Sequence, residues 1–174
     1  MQHARGGEGE RRATDVNALV EEYVNLAYHG MRASTPGFMV EIEREYDEAV
    51  GQVPVKGQEL GRVLLNLLSN AFYAVDKHAG RSAEGYTPTV TVTTRVVVGG
   101  IEIRVSDNGP GIPAAVQAKI FEPFFTTKPT GTGTGLGLSL SYDIVTHGHG
   151  GTLSVESDEG EGATFIITLP NSLS

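Results

Sequence analysis

Asn66 and Asn70 stand four residues apart in LLNLLSNA, within a stretch whose Leu60, Val63, Leu64, Leu67, Leu68, Ala71 and Val75 recur at three- and four-residue steps. On a helix this spacing brings both amides to one face at the border of the apolar stripe. Asparagine is a poor interior helix residue, so two in register cost propensity without adding to the core. Amide oxygens so placed can bind Mg²⁺. Two helix-surface asparagines without a ligand are the competing reading.

Asp107-Asn108-Gly109-Pro110-Gly111 follows an alternating apolar run. A carboxylate at the mouth of a sheet can accept a hydrogen bond from an exocyclic amine such as that of adenine. Taken alone, the segment fits a simple tight turn, because these are also the usual turn residues. GTGTGLGL, residues 131–138, puts glycines on alternate positions directly before a helix. Bare backbone amides can then approach an anion, and the helix start adds a positive dipole end, which suits a triphosphate. A flexible linker is the alternative, although the run leads straight into LGLSLSYDIV. Neither GxxxxGK[ST] nor a GxGxxG after a strand is present, which disfavours those nucleotide folds. FEPFFTTK, residues 121–128, lies between the two Gly-rich elements. Its Phe121, Phe124 and Phe125 are costly to expose and are expected to pack a lid. Lys128 is the one cation near the expected phosphate site, and a solvated lysine is its commoner fate.

Those residues need positioning elements. A helix is expected from Thr14 or Asp15 to about Met31, strands at 38–43 and 53–55, and the strongest helix over Gln58–His78. Tyr73 and Lys77 continue the polar stripe begun by Asn66 and Asn70. Strands at Thr89–Val98 and Ile101–Ser106 form a hairpin around Gly99-Gly100. A helix begins near Gly135 and ends near Thr146, and Thr152–Ser157 and Ala163–Leu169 form a final hairpin. The fold class is α+β, with one mixed sheet and helices on one face.

The chain has 174 residues, which suits a single domain. MQHARGGEGERR lacks periodicity, so residues 1–13 are expected to be a frayed leader and 14–174 the domain. With 13 basic and 21 acidic residues the net charge is −8, which disfavours nucleic acid and anionic membrane as partners. A phosphate-bearing ligand must therefore be held locally. No cysteine is present, which removes disulfides and thiolate chemistry. No membrane-length apolar run or signal segment occurs, and a cytoplasmic location is expected.

In this order, the Asn-bearing helix, DNGPG, FEPFFTTK and GTGTGLGL resemble the N, G1, F and G2 boxes of sensor histidine kinases. HGHGGTLSVESDEGEGATFIITLP is similar to that family's C-terminal hairpin. The resemblance implies a Bergerat-type two-layer α/β sandwich of the GHKL superfamily, with a mixed, mainly antiparallel sheet. It implies that Asn70 binds Mg²⁺, that Asn66 is the earlier amide of the box, and that Asp107 recognises the adenine amino group beside Gly109 and Gly111. Gly133, Gly135 and Gly137 match the glycines beside the phosphates. Tyr73, Ile112, Phe121, Thr127, Lys128, Thr134, Leu136 and Leu138 complete the implied ATP set, with Asn66, Asn70 and Lys128 as the catalytic residues. Many members carry a basic residue where Tyr73 stands, which shifts phosphate neutralisation toward Lys128, Lys77 or the metal.

Members of the superfamily that hydrolyse ATP carry a general-base Glu one turn before the Mg²⁺ Asn, and here that position is Asn66. A neutral amide cannot take a proton, so transfer to an imidazole is favoured over activation of water. Phosphoryl transfer depends mainly on positioning and charge neutralisation. None of His3, His29, His78, His147 and His149 has the helical His-Glu/Asp context of the family's acceptor. A dimerisation and phosphoacceptor domain, expected upstream, and a response-regulator receiver domain are the implied partners, and the fragment is expected to be monomeric. A GHKL-type ATPase and a nucleotide-binding regulatory module, including an anti-sigma-type serine kinase, are the alternatives.

Overall fold

Val90, Val92, Ile103, Val105, Phe165 and Ile167 all lie on one face of a sheet and are buried, as period-two alternation requires. In the computed structural model, residues 10–80, 85–123, 125 and 137–171 are described. The elements run β1 (Arg12–Asp15), α1 (Val16–Ser34), β2 (Glu41–Tyr46), a 3₁₀ turn (Glu48–Val50), β3 (Gln52–Val55) and α2 (Gly57–Ala79). They continue with β4 (Thr89–Val97), β5 (Gly100–Asp107), α3 (Ala114–Gln117), α4 (Gly137–Asp143), a π-turn (Ile144–Gly148), β6 (Thr152–Ser157) and β7 (Ala163–Pro170).

The main sheet has the order β2-β4-β5-β7-β6, and only the β2–β4 pair is parallel. The helices cover its apolar face. Leu60, Val63, Leu64, Leu67, Leu68, Phe72 and Val75 of α2 join Val16, Val20 and Val24 of α1 and the sheet residues in one core. Gly61 has no Cβ, and that space is filled by the Tyr23 ring, which lets the two helices approach closely. Asp15 caps α1 by accepting from the Ala18 amide at 3.1 Å. The other face of the sheet is largely polar: Arg95 and Arg104 each place Nε 2.7 Å from the buried Glu102 carboxylate. The expected mixed sheet with helices on one face is the fold observed.

Three local expectations change. The strand expected at 38–43 begins at Glu41 and runs to Tyr46. Its parallel partner starts only at Thr89, and Phe38 instead drops into the core against Phe72, with ring centroids 5.7 Å apart. Arg12 and Ala13, assigned to the leader, pair antiparallel with Val55 and Pro54 in a separate two-stranded sheet, so ordered structure precedes Thr14. The last helix gives way after Asp143 to the π-turn. Beyond that wide turn His149 enters the interior at 1% exposure. His149 Nε2 accepts from the Lys56 amide at 2.9 Å, so its proton sits on Nδ1, 3.0 Å from the Ile144 carbonyl oxygen. Burial lowers its pKa below the ordinary histidine range, and the charges of Lys56 and Arg11 act in the same direction. Among the described residues no helix is long and apolar enough to cross a membrane.

Candidate functional site

Asn66, Asn70 and Ala74 form one row along α2, successive members four residues apart. The buried leucines beside the row fix the rotation of the helix, which leaves both amides half-buried at the border of the core. At the Asn66 end, a Cβ built on Gly137 would lie 2.6 Å from Asn66 Oδ1. Asn66 Nδ2 also donates to Ser141 Oγ at 3.4 Å. The start of α4, where GTGTGLGL ends, thus rests on the first amide.

At the other end, a Cβ on Gly109 would lie 3.2 Å from Ala74 Cβ and 3.3 Å from the Ala74 carbonyl carbon. Glycine there lets the DNGPG turn lie directly on α2. Asp107 closes β5 on the helix-covered face, opposite Val90 and Ala163. Its Oδ1 accepts from the Gly109 amide at 2.8 Å. Burial pushes its pKa up to about 6, against the lowering effect of the Gly109 and Ala163 amides and of His78. Four residues at 1.5 Å rise separate successive members of the row, so its two ends are about 12 Å apart. That span is of the order of an extended nucleoside triphosphate.

The turn is anchored from the far side by residues that its sequence does not announce. The Ile112 amide donates to Ser157 Oγ at 2.8 Å, and Ser157 Oγ donates to the Gly162 carbonyl at 2.6 Å. Gln117 Nε2 donates to the carbonyls of Ile112 and Ser157 at 2.8 and 2.9 Å. Gly111 has φ +78° and packs where a Cβ would strike the Asp158 carbonyl oxygen. DEGEG, read from the sequence only as a hairpin link, is therefore also the support of this turn.

Tyr73 lies half-buried on α2 with Lys77 Nζ 5.6 Å from its ring centroid. Phe121 packs between Tyr142 and Phe165, at centroid distances of 5.4 and 6.3 Å. Ile112 and Leu138 pack partly buried against the core. Phe124, Thr127, Lys128, Gly133, Thr134, Gly135 and Leu136 lie outside the described residues. Among the described residues no group of three or more His, Asp or Glu side chains could hold a metal ion. An amide oxygen is nonetheless a hard donor that suits Mg²⁺, which completes its shell with water and phosphate oxygens.

The chain is similar to the sensor histidine kinase ZraS of Escherichia coli K12, 32% identical over 159 residues that cover 91% of this chain and 31% of ZraS. It is 34% identical over 164 residues to the sensor protein FixL of Bradyrhizobium diazoefficiens, covering 94% of this chain and 30% of FixL. The chain thus spans about a third of the length of these curated relatives. Its fold matches the nucleotide-free catalytic domain of histidine kinase ThkA with a TM-score of 0.76 and 30% identity, over 93% of this chain and 96% of that one. ThkA in complex with the response regulator protein TrrA also matches, with a TM-score of 0.71, 26% identity and coverage of 93% and 42%. The family model described as histidine kinase-, DNA gyrase B-, and HSP90-like ATPase matches residues 55–173, from the end of β3 through the final hairpin, and the chain belongs to that family.

Proposed function

We propose that this chain is the ATP-binding catalytic domain of a sensor histidine kinase and transfers the γ-phosphoryl group of ATP to a histidine on a separate helical domain. The observation that supports this reading is the Asn66–Asn70–Ala74 row, bracketed by Gly137 at one end and Gly109 with Asp107 at the other. Asp107 accepts the adenine amino proton, and Gly109 and Gly111 leave room for the base. Asn70 offers its amide oxygen to Mg²⁺, with Asn66 one turn away orienting the phosphate end. When bound, Mg²⁺ neutralises charge on the phosphates.

Asn66 cannot remove a proton from water, so the acceptor must itself be a good nucleophile at neutral pH. A neutral imidazole meets that need: its nitrogen forms the N–P bond, the bond from γ-phosphorus to the bridging oxygen breaks, ADP leaves and the ring proton passes to solvent. A response-regulator receiver domain then takes the phosphoryl group, and we place the domain in the cytoplasm, where ATP is found. The complex of the structural neighbour ThkA with a response regulator supports that partner class.

The test supplies γ-labelled ATP, Mg²⁺ and a histidine-bearing helical hairpin to the chain. Acid-labile phosphohistidine on the hairpin is the expected product. Acid-stable phosphoserine, or multiple-turnover hydrolysis without transfer, would overturn the reading.

A further inference from the structure

Asn108 lies beside Asp107, the base-recognising residue of the proposed site, yet its own side chain is engaged elsewhere. Its Oδ1 accepts from the Thr89 amide at 2.9 Å and from the Tyr86 hydroxyl at 2.9 Å. Its Nδ2 donates to the Thr87 carbonyl at 2.8 Å, and its backbone amide donates to the Thr89 carbonyl at 3.2 Å. Tyr86 Oη also lies 3.0 Å from the Asn108 carbonyl oxygen, so one hydroxyl proton serves two acceptors of one residue. The ring of Tyr86 stands edge-on to His78, with centroids 4.9 Å apart, and His78 is on the last turn of α2.

These contacts join three elements at the base end of the row. Tyr86, Thr87 and Thr89, at the entrance of β4, hold Asn108, the first residue of the turn that follows β5. Asp107 Oδ1 receives the Gly109 amide within this same turn, so the rotation of the carboxylate depends on where Asn108 is held. Asp107 and Tyr86 are close enough that burial, and then the carboxylate charge, raise the phenol pKa.

We infer that Tyr86 is a positioning residue for base recognition, acting through Asn108 on the Asp107 carboxylate. The inference rests on the nucleotide-site reading above. Tyr86 does not touch the ligand. It sets the orientation of the one acceptor that distinguishes a 6-amino purine from a 6-oxo purine, and so contributes to specificity rather than to general affinity.

The test measures Mg²⁺-dependent binding of ATP and of inosine triphosphate to wild type, Tyr86→Phe, Asn108→Ala and the double variant by titration calorimetry. Tyr86→Phe keeps the ring on His78 and deletes only the hydroxyl. Wild type should prefer ATP. Tyr86→Phe should weaken ATP about two- to fivefold, the effect of one exposed hydrogen bond, and leave inosine triphosphate unchanged. The double variant should be no worse than Asn108→Ala, because the two residues act in series. Equal weakening of both nucleotides, no change in either, or additive losses would overturn the inference while leaving the site reading intact. A wild-type chain that binds neither nucleotide, or binds both equally, overturns the site reading and this inference with it.

Discussion

Gly137 lies against the side chain of Asn66 so closely that a Cβ added to it would stand 2.6 Å from Asn66 Oδ1. Through this contact the end of the glycine-rich run reads the orientation of the first amide on α2.

Gly137→Ala should therefore separate stability from binding. Alanine favours the helix that starts there by up to about 1 kcal/mol, and the atom it meets is the tip of a side chain that can rotate away. The melting temperature should hold or rise, while the displaced Asn66 amide weakens ATP about five- to tenfold. Calorimetry of folding and of nucleotide binding on the same sample checks both halves.

Asn70→Ala removes the middle acceptor of the row without touching the buried leucines of α2. Phosphoryl transfer should fall about a hundredfold or more, and added Mg²⁺ should no longer tighten ATP. An unchanged circular dichroism spectrum would show that the fold is retained. Unchanged Mg²⁺ dependence would remove Asn70 from the proposed site.

Asp107 titrates at about 6, above the ordinary aspartate range, because it is buried. It is largely protonated at pH 5 and largely ionised at pH 7, and the ionised form is the stronger acceptor for an amine proton. The preference for ATP over inosine triphosphate should increase between those pH values by about three- to tenfold, with a midpoint near 6. The ratio cancels the titration of the triphosphate, which both ligands share. Asp107→Asn should flatten the profile, and a pH-independent ratio in wild type would exclude this role for the carboxylate.

His149 is kept neutral by burial, with a folded-state pKa below its ordinary value. The unfolded chain then binds more protons as pH falls through the ordinary histidine range, so the contribution of this residue is present at neutral pH and lost on acidification. His149→Ala also strands the Lys56 amide at the entrance of α2 and should cost about 1–3 kcal/mol at pH 7.5. The difference between wild type and variant in urea midpoints should shrink toward pH 5. A difference that grows on acidification would contradict the neutral assignment.

The core of the fold is visible in the sequence because its repeats are strong. The three- and four-residue spacing from Leu60 to Val75 gives α2, and the alternation through Ile101, Ile103 and Val105 gives β5 with its buried face. Arg12–Asp15 is different, for RATD has no apolar period and becomes a strand only because β3, some forty positions later, supplies the ladder. Asn66, Asn70 and Asp107 stand out because their types are unusual where they occur. Ser157, Gln117 and Tyr86 do not, since each acts through a partner that only the folded chain brings near. Phe38 alternates like a strand residue, yet the position of the β2 partner decides otherwise.

The small β1–β3 sheet ties the first described strand to the root of α2. β3 ends at Val55, and only Lys56 separates it from the first residue of α2, while β1 is zipped to β3 along its whole length. Residues 12–15 are thus fixed twice, by the ladder to β3 at the root of the helix that bears the two amides and by the direct run into α1. Trimming the chain to Thr14 would strip Val55 and Pro54 of their partners and loosen the approach to that helix.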